Sequence, residues 1–387
     1  MTPPSRVELR FALERFLPAA LADGRRASVR RVSGGHIHDS YRASATSRSI
    51  LLQRLNEHVF PDLDAITHNI AIVSAALGTA RHQGHDHARS QAFGWARDHA
   101  GDHVCDERRT HLTPLVSRAG AWIERDPDGH AWRAFAFIDG AHSVAVARRP
   151  AQAESAASAF GAFFRGCASL DPAQLHITIP HFHDTPVRVA ALERAIERDA
   201  ANRAVNAIAE IDFARARRAV GSRLMSAHAS GTLPLRVVHN DAKITNVLFD
   251  DTTGEALCVV DLDTVMPGLA AFDVGDLVRS MASATAEDAG DTSRLTLRPA
   301  VIDAALRGWL GGAGPTVTPG ERASLVTGAL VITYEQGVRF LADYLESDRY
   351  YKTDRPGRNL DRARVQFALL RSLEADADRL ERVVQSA

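Results

Sequence analysis

A polar loop at positions 239–246 holds the side chains best suited to chemistry, since Asp241, Lys243 and Asn246 follow directly on the apolar pair Val237-Val238. Asp241 could accept the proton of an attacking hydroxyl, and the amide oxygen of Asn246 suits a magnesium ion. A second apolar run ends at Asp261, which offers a carboxylate for the same metal or for a second one. Phosphoryl transfer needs this set of groups, because the protein mainly positions the reactants and neutralises charge.

Lys243 is unusual in this composition. The chain has 46 basic residues, yet Lys243 and Lys352 are its only lysines. In so arginine-rich a sequence, a lysine just after the candidate base indicates a need for a compact point charge, for example at a γ-phosphate. The pattern His-x-Asp-x-x-x-x-Asn occurs often by chance, but the two flanking apolar runs and the lysine favour a catalytic loop.

The composition sets the broad class of protein. The chain has 387 residues, is 45% hydrophobic, and its 46 basic residues nearly cancel its 47 acidic ones. This length allows two lobes with separate cores, and the balanced charge favours neither nucleic acid nor a membrane surface as partner. Charged residues interrupt the amino-terminal 22 positions, so we expect no signal peptide or membrane span there. The three cysteines lack a pairing pattern, and we therefore expect a reduced, cytoplasmic protein, with a monomer favoured.

The first 139 residues are expected to form a nucleotide-binding lobe. An amphipathic pattern predicts a helix over Arg6–Leu21, and β-rich runs predict short strands after it. Gly34 and Gly35 lie in the turn between the first two strands, where their backbone amides could approach phosphates. Arg54 is the candidate phosphate-pairing base on the third strand, although a strand arginine is otherwise a solvated surface residue. The predicted elements that follow the first helix are strands at 28–32, 40–43 and 49–55 and a helix at 62–77.

Residues 78–111 are rich in histidine and nearly free of apolar periodicity. Such a stretch could bind metal, but its spacing matches no established zinc pattern. We interpret it as a mobile insertion, with a metal-responsive or partner-binding attachment as the alternative.

Residues 140–387 are expected to form a larger, mainly helical lobe that carries out catalysis and binds the substrate. Together with the strand-rich first lobe, this predicts an α+β fold. Strands at 112–117, 121–125 and 132–138 are predicted to complete the first lobe, and the backbone at Phe137 and Ile138 would form a hinge between the lobes that receives an adenine ring. Helices are predicted at 151–170, 187–200 and 213–229. Asp273 and Asp276 are expected to cap a further helix, with Asp276 also pairing Arg279. Glu335, Arg339 and Asp343 share one helix face, where an exposed ion-pair row would contribute little.

With these residues in place, the sequence resembles the aminoglycoside phosphotransferase and choline kinase superfamily, and most closely the bacterial N-acetylhexosamine 1-kinases. The superfamily signature lies in His239-Asn240-Asp241 through Asn246 and in Val260-Asp261. The closer match rests on Gly34-Gly35-His36-Ile37, Leu52-Gln53-Arg54-Leu55, Val260-Asp261-Leu262-Asp263 through Gly268, and Arg339-Phe340-Leu341. It spans nearly the whole chain except the histidine-rich insertion.

The resemblance implies a protein-kinase-like bilobal fold that uses ATP and Mg²⁺ to phosphorylate the anomeric hydroxyl of an N-acetylhexosamine (GlcNAc or GalNAc). Asp241 would be the base, Asn246 and Asp261 would hold the metal, and Asp263 would be a second metal or sugar contact. The sugar would meet His36, Arg339 and Tyr350, and Arg54 would replace the usual strand lysine at the phosphates. His38 and Thr245 stand where the family more often has asparagine.

Two alternatives remain open on these residues. The acceptor could be another hydroxyl compound, such as an aminoglycoside, choline or an unsubstituted sugar. Choline would need an aromatic cage, and the chain has only 6% aromatic residues. The chain could also be a non-catalytic binding protein with the same fold, although it keeps the complete set of catalytic side chains.

Overall fold

The computed structural model describes residues 4–17, 28–32, 37–45, 48–84 and 111–387. Gly34, Gly35 and His36 lie outside the described residues, as do positions 85–110 of the histidine-rich stretch. The chain divides into two compact units. Unit 1 comprises Met1–His142, Leu248–Thr253 and Leu257–Asp263, and unit 2 comprises Ser143–Val247, Gly254–Ala256 and Thr264–Ala387. Unit 1 thus includes two strand segments that follow the polar loop 239–246 in the sequence.

The described helices and strands, in chain order, are α1 (Arg6–Phe16), β1 (Ser28–Arg31), β2 (Asp39–Ala45), β3 (Arg48–Arg54), α2 (Leu63–Gly84), β4 (Pro114–Leu115), β5 (Glu124–Arg125), β6 (Ala131–Ala136), β7 (Ala141–His142), α3 (Pro150–Gly166), α4 (Thr185–Arg198), α5 (Ile208–Ala216), α6 (Arg218–Ala229), β8 (Arg236–Val238), β9 (Val247–Asp250), β10 (Ala256–Val259), β11 (Met266–Gly268), α7 (Ala270–Met281), α8 (Pro299–Ala313), α9 (Pro319–Leu345) and α10 (Arg358–Ser386).

Unit 1 is built on an antiparallel sheet. Its described strands run in the order β1-β2-β3-β6-β4, and β5 pairs with another part of β6. Asp39 lies opposite Arg54, which in turn lies opposite Trp132, so this register brings three strands' polar and aromatic side chains together. Helix α1 begins with a capping box between Ser5 and Glu8. Its apolar residues pack on the sheet beside Trp132, and each large side chain buried there contributes about 1.5–3 kcal/mol.

A smaller sheet in unit 1 runs in the order β10-β9-β7. Strand β9 starts immediately after the polar loop, and β10 precedes Asp261. Phe249 and Cys258 are buried in these strands, as expected from their apolar runs. The polar loop and the second acid therefore adjoin the ends of short, buried strands.

Unit 2 is mainly helical, and two of its helices approach at backbone distance. A Cβ atom on Gly275 of α7 would lie 2.4 Å from the carbonyl oxygen of Gly328 on α9. A Cβ on Gly328 would lie 2.2 Å from the carbonyl oxygen of Ala271. Because such distances leave no room for a side chain, glycine is required on both helices. Helix α7, which carries Asp273, is thereby held close to α9, which carries Glu335 and Arg339.

Several predicted helix bounds need correction. The predicted helix at 213–229 is two helices, α5 and α6, and Arg217 between them leaves helical geometry at φ −107° and ψ 11°. Helix α1 ends at Phe16 instead of Leu21, because Leu17 adopts an extended conformation. Helix α2 continues to Gly84, beyond the predicted end at position 77. Among the helices of the described residues, none has the length and apolar character needed to cross a membrane.

Candidate active site

The polar loop of unit 2 leaves the end of β8 and is held there by a partner strand. Strand β8 pairs antiparallel with β11, with Val238 opposite Met266. Val237 and Val238 are both buried, so hydrophobic packing holds the start of the loop. The loop closes with a short 3₁₀ turn at Ile244–Asn246 that leads into β9.

Asp241, Lys243 and Asn246 form one hydrogen-bonded group. The ammonium of Lys243 lies 2.8 Å from Oδ1 of Asp241. The amide nitrogen of Asn246 donates to Oδ2 of Asp241 at 3.0 Å and to its backbone oxygen at 2.9 Å. The side chains of Asp241 and Lys243 are 25% and 31% exposed, so a ligand can reach both.

Asp241 and Lys243 are both charged near neutral pH. Burial alone would raise the pKa of Asp241, but the Lys243 ammonium, His239 and the Asn246 amide together lower it below its usual value. Burial would lower the pKa of Lys243, yet the carboxylates of Asp241 and Asp276 raise it above its usual value. The site therefore presents a fixed carboxylate beside a fixed ammonium.

Asp273 holds the backbone of this loop. It accepts the N–H of Asn240 at 2.7 Å and the N–H of His239 at 2.9 Å, and it is fully buried. The predicted capping role for Asp273 is wrong, because the residue at the helix start is Leu269 and Asp273 lies inside α7. The signal that sequence reasoning missed was an aspartate that follows three apolar residues in a helix whose first nine residues are all buried. The predicted pair between Asp276 and Arg279 is confirmed, at 2.7 Å.

Asn240 takes a backbone conformation that few residues adopt. Its φ of 62° is left-handed, a region in which asparagine is enriched over most non-glycine residues. Its side-chain amide donates to the carbonyl oxygens of Thr264 at 3.1 Å and Met266 at 3.3 Å. These bonds hold the reversal of the chain that points residue 241 out of the strand.

The carboxyl-terminal residues predicted at the sugar lie on and after α9. Arg339 stands over the rings of Phe182, Tyr350 and Tyr351, at 5.2, 6.0 and 5.8 Å from their centroids. Asp343 holds the segment after the helix by accepting the N–H groups of Tyr350 at 2.8 Å and Tyr351 at 2.9 Å. The structure thus brings Arg339 and Tyr350 together.

The row of charges on α9 is buried, not exposed as predicted. Glu335 is 1% exposed and Asp343 is 5% exposed. Glu335 lies 3.9 Å from Arg339, but its shorter contacts are to His183 and Thr185. Helical spacing identified the shared face correctly and gave no information on what covers it.

Unit 1 holds Asp261 and Asp263 at the end of β10. Asp261 is exposed and has a left-handed φ of 65°. Asp263 is buried, and Arg133 contacts both of its oxygens, at 2.5 and 2.7 Å. His38 bonds the same carboxylate at 3.0 Å, and its other ring nitrogen accepts the N–H of Asn56. Burial would raise the pKa of Asp263, but Arg133 and His38 hold it well below its usual value.

These contacts bear on the metal or sugar contact predicted for Asp263 and show what His38 bonds. Both oxygens of Asp263 bond to Arg133 or His38, so this carboxylate anchors the turn that follows β10. We therefore do not propose Asp263 as a metal ligand. Because Nδ1 of His38 accepts a backbone N–H, its Nε2 must carry the proton that bonds Asp263. Histidine at position 38 therefore has a structural partner within unit 1.

Arg54 is also held inside unit 1. Its terminal nitrogens bond Glu8 at 3.0 Å and Asp39 at 2.8 Å, and the side chain is buried. The alternative that Arg54 is a solvated surface residue is therefore wrong. Because its guanidinium already pairs with Glu8 and Asp39, the structure gives no support to its predicted contact with phosphate. At the predicted hinge, the N–H of Phe137 donates to the carbonyl of Ser49, and Ile138 is buried.

The comparison with known families identifies the family of this chain. Residues 28–316, most of the chain, match the model of the phosphotransferase enzyme family. The chain belongs to this family. It has the kinase-like α+β fold predicted from the sequence.

Solved structures show the same fold at low identity. An aminoglycoside phosphotransferase from Alicyclobacillus acidocaldarius is 14% identical with a TM-score of 0.59, covering 96% of this chain and 97% of that one. A choline kinase from Cryptosporidium parvum is 12% identical with a TM-score of 0.54, covering 98% of each chain. A spectinomycin phosphotransferase bound to ADP and spectinomycin is 14% identical with a TM-score of 0.53, covering 96% and 100%.

Proposed function

We propose that this phosphotransferase moves the γ-phosphoryl group of ATP to the anomeric hydroxyl of an N-acetylhexosamine, either N-acetylglucosamine or N-acetylgalactosamine. The observation that carries the chemistry is the group formed by Asp241, Lys243 and Asn246. It presents a partly exposed, ionised carboxylate with an ammonium at 2.8 Å and an amide at 3.0 Å. The choice of sugar rests on the sequence resemblance.

Asp241 is the proposed base. Its carboxylate would accept the hydrogen bond of the sugar C1 hydroxyl and take the proton as the new bond to phosphorus forms. Because Lys243 lies on the same loop, its ammonium would contact the γ-phosphate beside the hydroxyl that Asp241 orients. The backbone bonds to Asp273 keep the loop in one conformation, which favours a constant geometry between these two groups.

The residues predicted to hold Mg²⁺ fit that ion. The amide nitrogen of Asn246 is used by Asp241, which leaves its oxygen as the atom suited to a hard cation. Asp261 offers an exposed carboxylate. On the sequence resemblance, we propose Asn246 and Asp261 as the metal ligands, and a bound Mg²⁺ would supply neutralisation of charge on the phosphate oxygens.

The surroundings of Arg339 favour a neutral acceptor over a cationic one. An organic ammonium such as choline is usually held by a cluster of aromatic faces. Here Phe182, Tyr350 and Tyr351 already surround the Arg339 guanidinium. A second cation would meet repulsion from this charge, whereas sugar hydroxyl and acetamido oxygens could accept its N–H groups. On the sequence resemblance, we propose Arg339, Tyr350 and His36 as the residues that contact the sugar.

A panel of acceptors tests the proposal. We expect release of ADP from Mg-ATP with N-acetylglucosamine or N-acetylgalactosamine, and phosphorus NMR should show the phosphate on the anomeric carbon. Choline, ethanolamine, spectinomycin and unsubstituted glucose serve as comparison acceptors. Turnover with an amine and none with the N-acetylhexosamines would overturn the proposed acceptor.

Replacing Lys243 should change both rate and pH dependence. In Lys243→Met, loss of a charged contact to phosphate should lower kcat about 10- to 100-fold. The pKa of Asp241 should rise, since the nearest cation that lowers it is gone. The acidic limb of the kcat/KM profile should therefore move to higher pH.

Lys352, the chain's other lysine, provides the matched variant for this measurement. Lys352→Met should retain the rate and the acidic limb of the unmodified protein. An acidic limb in Lys243→Met at its original pH would contradict the assigned coupling to Asp241.

A further inference from the structure

His183 lies buried in unit 2, just before α4, and bonds two distant parts of the chain. Its Nδ1 lies 2.9 Å from Oε1 of Glu335 on α9. Its Nε2 lies 2.8 Å from the carbonyl oxygen of Asn240, the residue before Asp241. The ring also stacks near Phe182 and Phe272, at centroid distances of 4.6 and 5.0 Å.

Both hydrogen-bond partners of His183 identify its protonation state. A carboxylate and a carbonyl oxygen only accept, so both ring nitrogens must carry hydrogen. Only the imidazolium form does this. The other oxygen of Glu335 accepts the hydroxyl of Thr185 at 2.6 Å, which holds the carboxylate in place.

The charges around His183 favour the same state. Burial would lower the pKa of His183, but the charge and hydrogen bond of Glu335 and the Asn240 carbonyl raise it above its usual value. Arg339 on α9 opposes this increase. Asp273 on α7 is the second carboxylate that interacts with this imidazole.

The peptide bond between Asn240 and Asp241 is held on both sides. Its carbonyl oxygen, from Asn240, accepts from His183, and its N–H, from Asp241, donates to Nδ1 of His239 at 3.3 Å. The plane of this peptide sets the direction in which the Cα–Cβ bond of Asp241 leaves the backbone. Asn240 is in the left-handed region, a sparsely populated conformation that persists only where surrounding contacts hold it.

We propose that His183 is a positioning residue for phosphoryl transfer, fixing the 240–241 peptide so that the Asp241 carboxylate faces the acceptor hydroxyl. This inference rests on the proposed role of Asp241 as base. His183 acts through the backbone and touches neither nucleotide nor sugar. Glu335 keeps the imidazole doubly protonated, and thereby connects α9 to the catalytic loop.

The sign of the pH effect follows from the raised pKa. The doubly bonded form is complete below the ordinary histidine pKa of about 6.5 and is lost as pH rises through the higher folded value. Loss of one N–H releases either Asn240 or Glu335. The kcat profile should therefore have an alkaline limb that belongs to His183.

Two variants and a control test this inference by kcat and KM profiles against pH, with the acceptor that shows turnover. His183→Gln should lower kcat about 10- to 100-fold with little change in KM for Mg-ATP, and should abolish the alkaline limb. Glu335→Gln should move that limb to lower pH, because the charge that raises the pKa of His183 is removed. His228→Gln, which changes a half-buried histidine bonded to the Leu233 carbonyl, should retain the original profile.

Histidine-labelled protein provides a measurement that needs no turnover. NMR of the ring nitrogens should show one histidine that has both nitrogens protonated at pH 7 and that is absent from His183→Gln. In Glu335→Gln this histidine should lose its second ring proton at a lower pH than it does in the unmodified protein. A neutral His183 at pH 7, or an unchanged alkaline limb in His183→Gln, would overturn the inference. If none of the acceptors is phosphorylated, the proposed function fails. The NMR result alone then supports or overturns the doubly protonated His183 that bonds Glu335 and the Asn240 carbonyl.

Discussion

Asp241→Asn should lower kcat at least about a hundredfold, within the 10²–10⁴ range that a general base contributes. The amide cannot take the proton of the acceptor hydroxyl, and it removes the charge that Lys243 pairs with at 2.8 Å. Affinity for Mg-ATP should change little, since the metal ligands proposed here are Asn246 and Asp261. Steady-state ADP release and a nucleotide titration of the purified variant measure the two quantities.

The matched control for Asp241→Asn is Asp212→Asn, an exposed aspartate on α5 of the same unit. This variant should have an unchanged kcat. The smallest usual contribution of a general base is about a hundredfold. If Asp241→Asn kept more than roughly a hundredth of the original activity, Asp241 would not be the base.

Arg133→Met should lower the free energy of unfolding of unit 1 by about 3–5 kcal/mol. The methionine fills much of the space of the arginine stem but leaves Asp263, which is 2% exposed, without the guanidinium that contacts both of its oxygens. His38 alone would face a buried carboxylate. Urea unfolding followed by tryptophan fluorescence measures the effect, because buried Trp132 lies in the same unit.

The destabilisation should shrink on acidification. In the unmodified protein the depressed pKa of Asp263 contributes stability that is present above the ordinary aspartate value and is lost only as pH falls through the lower folded value. Without Arg133, the pKa of Asp263 should rise, since burial raises it and only His38 still lowers it, so protonation of Asp263 in acidic solution would relieve part of the cost.

An exposed ion pair of the same unit provides the control for Arg133→Met. Arg125 and Glu57 are 2.8 Å apart with side chains 55% and 40% exposed. Arg125→Met should cost no more than about 1 kcal/mol. Equal losses for Arg125→Met and Arg133→Met, or a loss in Arg133→Met that grows toward acid, would contradict the assigned burial of charge.

The local sequence determined the catalytic loop. The apolar run before residues 239–246 and the second run that ends at Asp261 predicted strands that the structure contains as β8 and β10, because hydrophobic burial acts on short consecutive segments. The close spacing of Asp241, Lys243 and Asn246 put their side chains within reach of one another, since few residues separate them. The family and the kinase-like fold were likewise readable from these residues.

Only the tertiary structure decided what the other charged residues do. Asp273 bonds backbone groups 33 and 34 positions away, Arg133 bonds a carboxylate 130 positions away, and His183 joins Asn240 to Glu335 across separations of 57 and 152. Helical spacing placed Glu335 and Asp343 on one face correctly, but periodicity carries no information about which other element covers that face. An aspartate that anchors backbone and one that binds metal have the same side chain. Their roles differ through the partners that folding brings to them, and those partners come from distant parts of the chain.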